Sequence, residues 1–201
     1  GVTAAQDVLG SHLDQSGVSF RGDGPLRDLT GTRLIVDPDY LSVYKIPLVA
    51  GRGFSQDKNA EGREYVINEQ MAKELLKDTP GVEMTSLLNK RFGFDSTGQI
   101  IGIAKDFNFN SLHNKIETLF ICAMSGWGYT DMSVKIAGGK TKEGLAVLQS
   151  TWQKYFPRQP FRYEFSDDHF EEVYRADAQV GTIVGTLAGL AIFISCLGLF
   201  G

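Results

Sequence analysis

The sequence predicts an α+β fold of short mixed strands that ends in a transmembrane helix, and three observations carry that prediction. The last twenty-four residues, Ala178 to Gly201, hold no charged side chain, although the chain has 20 Lys and Arg and 24 Asp and Glu. Strand-like runs are short and irregularly spaced. Helical patterns are few, and they do not alternate with strands as the βαβ units of a doubly wound sheet would.

Val2 to Leu9 is a strand candidate, and the Gly-rich stretch from Gly10 to Gly31 reads as loop or hairpin. Arg33 to Val36 is a short apolar strand. Asp37-Pro38 is a helix-start signal that puts one or two turns at Asp39 to Tyr44, stopped by Pro47. Tyr65 to Ile67 is a strand leading into Asn68, a good N-cap for a helix over Glu69 to Lys77. Met71, Ala72, Leu75 and Leu76 share a face of that helix, which Thr79-Pro80-Gly81 ends. Lys90 to Phe94 and Gly98 to Ala104 flank the turn at Asp95-Ser96-Thr97-Gly98 and predict a β-hairpin.

A loop from Lys105 to Asn114 precedes strands at Thr118 to Met124 and Asp131 to Ala137. The helix Lys142 to Phe156 puts Leu145, Leu148, Trp152 and Tyr155 on one stripe before Pro157 halts it. Phe161 to Phe165 alternates aromatic and charged residues like a strand. Asp168 then caps a last helix, with Glu171 three residues on completing a capping box. Nothing breaks that helix before the apolar tail, so one rod is expected to run from the stalk into the membrane. About 20 apolar residues from Val180, at 1.5 Å per residue, give roughly 30 Å, enough to cross a bilayer. A buried core helix is the alternative, but such helices usually keep a polar stripe and run about 10 to 14 residues.

The net charge of −4 and the lack of any Lys/Arg-rich run argue against nucleic acid. Cys122 and Cys196 do not form a disulfide framework. The chain begins at Gly1 without a signal pattern and stops at Gly201 within the apolar run, which reads as a fragment of a longer membrane protein.

No motif for chemistry survives scrutiny. Ala137-Gly138-Gly139-Lys140-Thr141 imitates the end of a phosphate loop, but Val134 stands where the first glycine must be, so a tight turn is expected. Gly51-Arg52-Gly53 lacks the third glycine and following helix of a dinucleotide fingerprint. Asp167, Asp168, His169, Glu171 and Glu172 gather metal-ligand types, yet neighbours on a helix diverge and acids at a helix start already suit its dipole. His12 and His113 accompany no Ser or Cys nucleophile in a diagnostic frame. No catalytic residue, cofactor or metal is assigned. Gly181, Gly185 and Gly189 form a ridge that lets another membrane helix approach closely, implying a polytopic protein or a dimer.

Four segments in order then resemble one family. Tyr40-Leu41 through Ile46-Pro47-Leu48 and Gly51-Arg52-Gly53-Phe54-Ser55 are similar to the "GR-x-F" segment of the extracytoplasmic domain of MacB-type and FtsX-like ABC transporter permeases. Val66-Ile67-Asn68-Glu69 resembles its "V-I-N-E" step, and Ile100-Ile101-Gly102-Ile103-Ala104-Lys105-Asp106-Phe107 its "I-I-G-V-x-K-D-F" segment. Phe165 to Tyr174 with Ala191 to Gly201 resembles the stalk and second transmembrane helix.

The resemblance implies a two-lobed extracytoplasmic domain, with a porter-like lobe at 1–32 and 115–167, an inserted lobe at 33–114, a stalk at 168–179 and a truncated transmembrane helix at 180–201. It also implies a non-enzymatic permease subunit of the bacterial inner membrane with its soluble domain in the periplasm. Expected partners are a cytoplasmic ABC ATPase, other permease helices or a second permease copy, and a periplasmic protein. A membrane-anchored ligand-binding or sensor domain is the competing reading.

Overall fold

The computed structural model describes residues 1–11, 13–94, 97–110 and 115–166, with 187, 188, 191 and 195 beyond them. The chain divides into two compact units, Gly1–Tyr155 and Phe156–Gly201.

In the first unit nine strands join one sheet. They are β1 (Val2–Ala5), β2 (Gln15–Arg21), β3 (Arg27–Val36), β4 (Leu48–Gly51), β5 (Glu64–Asn68), β6 (Arg91–Gly93), β7 (Gly98–Ala104), β8 (Leu119–Ala123) and β9 (Asp131–Val134). The helices are α1 (Tyr40–Tyr44), α2 (Glu69–Leu76) and α3 (Thr141–Tyr155). The order β2-β6-β7-β5-β8-β3 closes on itself because β2 also pairs with β3, so six strands form a barrel. Within it β3 and β8 run parallel, as do β5 and β7, while β5 and β8 are antiparallel.

Closure explains the sequence pattern. β5 and β8 are buried at every position, which reads as a continuous apolar run and not as half-buried alternation. Val18, Phe20, Ile35, Tyr65, Ile67, Phe92, Ile100, Ile103, Phe120 and Cys122 pack into one cluster with Met71, Ala72 and Leu75 of α2. Edge-to-face rings knit it, with Tyr65–Phe92 centroids 5.5 Å apart and Phe92–Phe120 5.9 Å apart.

Outside the barrel, β1 and β9 pair over four residues as an antiparallel ribbon. β1 meets β3 only at Ala5 opposite Val36. The expected lobe boundary at residue 33 falls inside β3, and strands expected in both lobes share one sheet. β3 is longer than its apolar end because its polar half, Arg27 to Thr32, is held by pairing with β2. β4 was not expected as a strand; β7 supplies its ladder.

In the second unit Phe161 to Phe165 is not a strand. Its aromatic side chains do line up, with successive ring centroids 5.5 Å apart, but no strand among the described residues gives this segment a ladder. No helix among the described residues is long and apolar enough to cross a membrane. The expected span at 180–201 lies outside the described residues apart from 187, 188, 191 and 195, which are helical.

Candidate functional site

Asp168 and Glu171 of the expected stalk cap, and Gly181, Gly185 and Gly189 of the expected packing ridge, lie outside the described residues. So do the candidate metal-binding acids from 167 to 172, and His12 and His113. Among the described residues no cluster of three His, Cys, Asp or Glu side chains could hold a metal. Gly138-Gly139-Lys140 is a tight turn between β9 and α3, with Gly139 at φ +77° and the Lys140 amide donating to Ala137 at 3.1 Å. Val134 lies in β9 but ends it, so the strand stops three residues short of the expected Ala137. Cys122 is fully buried, and burial pushes its thiol up to about 12, so it stays protonated and unreactive at neutral pH.

The structure does bring together the first three segments named for their resemblance, and it gives each an architectural task; the fourth, from Phe165, lies almost wholly outside the described residues. Asn68 ends β5 in extended backbone and caps α2, its Oδ1 accepting from the Met71 amide at 2.9 Å. The same Oδ1 accepts from the Leu119 amide at 2.9 Å, while Nδ2 donates to the Glu117 carbonyl at 2.8 Å. One fully buried amide side chain therefore fastens β5, α2 and the entry to β8. Glu69 and Asp106 complete the arrangement from opposite sides. The Asp106 amide donates to Glu69 Oε2 at 2.9 Å, and the Gln70 amide donates to Asp106 Oδ1 at 3.1 Å. Lys73 adds an ion pair to Asp106 at 3.8 Å. At the other end of α2, Arg27 reaches from β3 to the carbonyls of Leu75 at 3.0 Å and Glu74 at 3.5 Å.

The glycine-containing segments meet each other. Gly51 has φ +79°, and a Cβ there would stand 2.2 Å from the Ile101 carbonyl oxygen and 2.8 Å from Gly102 Cα. A Cβ on Gly102 would stand 2.5 Å from the Arg52 carbonyl oxygen. Two backbones thus touch where β4 crosses β7, which only a pair of glycines permits. Arg52 then donates to Glu64 Oε1 at 2.5 Å, and the Ser55 amide to Glu64 Oε2 at 2.7 Å. Glu64 is 6 % exposed, and these two donors offset the cost of its burial. Sequence reasoning named Asn68 as the cap of α2 and reached Gly51, Arg52, Glu69, Gly102 and Asp106 through the resemblance; Arg27 it missed, since its partners Glu74 and Leu75 lie 47 and 48 residues on, and Glu64 it missed although its partners Arg52 and Ser55 are 12 and 9 residues away.

A shallow groove of about 460 Å³ runs beside α2, lined by Gln15, Gln70, Lys73, Glu74, Glu117 and Thr118. It is polar and mixed in charge, and no nucleophile with an adjacent base lies in it.

The class this defines is a barrel-cored α+β domain. Residues 2–160 match the model of the MacB-like periplasmic core domain, and the chain belongs to that family. No curated protein sequence matches the chain. Among solved structures, the periplasmic region of MacB from Actinobacillus actinomycetemcomitans is similar, with a TM-score of 0.55 at 16 % identity over 87 % of this chain and 75 % of that one. The extracellular domain of YknZ, a noncanonical ABC-type transporter of Gram-positive bacteria, gives a TM-score of 0.50 at 15 % identity over 79 % of this chain and 76 % of that one. The chain is a MacB-like periplasmic domain of an ABC transporter permease.

Proposed function

We propose that this domain carries motion outward from the transmembrane helices of a permease in the bacterial inner membrane, driven by a separate cytoplasmic ATPase, to an export step in the periplasm. The observation that supports this most is the family match over residues 2–160, followed by a chain whose last charge is Asp177. Rigid-body transmission needs a stiff body to move, and the interlocked barrel, with Asn68, Glu69 and Asp106 joining helix to strands, provides one. The stalk capped by Asp168 and Glu171 is the proposed lever, and Gly181, Gly185 and Gly189 the proposed seat for a neighbouring permease helix or a second permease copy. The inserted lobe is proposed to be the barrel itself, and the porter-like lobe to include β1, β9 and α3, which leaves a periplasmic partner to dock on either.

The test is coupling. Inserting two or three glycines at Ala176 to Ala178 in the full-length permease should leave the barrel folded and ATP hydrolysis running while export falls, since each glycine costs about 1 kcal/mol of helix stability and softens the rod. Replacing Gly185 with Leu should damage the same coupling by holding the neighbouring helix away. Fully coupled export in the insertion variant would move the weight to an anchored sensor domain.

A further inference from the structure

A row of side chains crosses the outer wall of the barrel over four adjacent strands, β2, β6, β7 and β5. Phe20 of β2 stands opposite Phe92 of β6, and both rings are buried in the core. The next pair, Arg21 opposite Arg91, therefore points outward, and both residues are exposed. Arg91 is in turn opposite the exposed Gln99 of β7, which stands opposite Glu64 of β5. Glu64 is the carboxylate held by Arg52. With strands about 4.8 Å apart, the row is roughly 14 Å long.

Like charges directly opposed destabilise a strand pair, whereas an acid across from an arginine would stabilise it. Here no acid is left over. Neither Arg21 nor Arg91 has a hydrogen-bond or ion-pair partner among the described residues. The acids close by in the strands are engaged elsewhere: Asp23, two residues beyond Arg21, pairs with Lys90, Asp28 accepts from the Ser19 hydroxyl at 2.7 Å, and Glu64 is bound by Arg52. A chain of net charge −4 thus sets two uncompensated cations side by side on its barrel.

We propose that this row is a docking strip for an acidic segment of a partner protein, whose carboxylates the Arg21 and Arg91 guanidinium groups bind. A guanidinium takes a carboxylate through two parallel N–H donors, and two of them on neighbouring strands match alternate acids of an extended segment laid across the strands. Gln99 adds an amide donor next in the row. A broad anionic surface is the poorer fit, because it would repel the rest of this acidic chain, whereas a short segment meets the row alone. The strip does not rest on the transmission reading, and its test reads binding alone.

The test is fluorescence anisotropy of a labelled peptide of about ten glutamates, titrated at low salt with the full chain in non-ionic detergent. Wild-type binding should weaken as salt is added. Arg21→Gln and Arg91→Gln should each weaken it by about two- to fivefold, and the double variant by about tenfold. Lys140→Gln, which makes the same change of net charge at the turn before α3, should leave it as it was. The double variant should also keep or raise the urea midpoint, since the two cations repel each other. Absence of peptide binding, equal binding by the double variant, or the same loss in Lys140→Gln would overturn the proposal. So would a lowered urea midpoint, which would mean that the pair is matched within the chain. Displacement of the peptide by glycerol phosphate at equal concentration of charge would reassign the row to phosphate groups and overturn the protein partner.

Discussion

The barrel and its flank treat apolar side chains in opposite ways. Tyr65, Phe92 and Phe120 are entirely out of solvent, and α2 commits Met71, Ala72 and Leu75 to the same cluster. In α3, almost twice as long, no residue is buried, and the β1–β9 ribbon leaves Val2 52 % and Met132 69 % exposed. The difference is one of closure. A barrel gives every strand two neighbours and every inward side chain a facing wall, so its stability is internal. A two-stranded ribbon is marginal by itself, and this one leans on the barrel through Asp37, Tyr44 and a Lys135 contact to the Val43 carbonyl at 3.0 Å. For a domain proposed to pass on movement, a rigid body beside a lightly attached flank is the more useful division.

The largest effects should come from emptying the barrel core and from breaking the seam by which β7 holds β4. Phe120→Ala removes a ring packed against Tyr65, Phe92 and Phe94, and should destabilise the chain by about 3–5 kcal/mol in urea unfolding. Gly51→Ala strikes the backbone contact between β4 and β7, combining a left-handed φ with a Cβ forced onto a carbonyl oxygen. Strain and overpacking of that kind cost on the order of 2–4 kcal/mol together. A loss under about 1 kcal/mol in Phe120→Ala would show that the closed ring does not dominate stability, and one that small in Gly51→Ala that the β4–β7 seam is not tightly packed.

Asn68→Ala should come next, at about 2–3 kcal/mol, because it removes a helix cap and leaves the buried Leu119 amide and Glu117 carbonyl without their partner. Asn68→Asp separates the roles: it keeps the cap acceptor and loses the donor to Glu117, so it should recover part of the loss. Equal damage from both variants would mean that the lost donor to the Glu117 carbonyl, not the cap, carries the energy.

What could be read in advance follows the reach of each interaction. α2 was legible because its cap at Asn68, its apolar face and its stop at Thr79-Pro80-Gly81 all lie within fourteen consecutive residues. The hairpin of β6 and β7 was legible for the same reason. β4 was not, since Leu48 to Gly51 becomes a strand only because β7 offers it a ladder fifty residues on. Phe161 to Phe165 shows the converse: its alternation fits a strand, yet alternation describes faces and cannot supply a pairing partner. The same limit governed the site. Asn68 was identifiable as a cap, but its bonds at β8 depend on how the barrel strands assemble, and the contact of Gly51 with Gly102 and the charge pair of Arg52 with Glu64 depend on how β4 is laid against β7.

The smallest expected effect is the most direct test of the flank. Val147 of α3 is 63 % exposed and Tyr155 67 % exposed. Serine and valine have nearly equal helix propensity, so Val147→Ser alters exposed apolar area without changing the backbone preference. Exposed positions away from caps and networks usually respond within about 0.5 kcal/mol, and Val147→Ser should fall in that range in urea unfolding of this chain. Tyr155→Ser should behave alike, with the helix end free to fray. A loss above about 1.5 kcal/mol in either variant would mean that α3 is covered in solution as the barrel is. The contrast between a closed core and an open flank would then have to be abandoned.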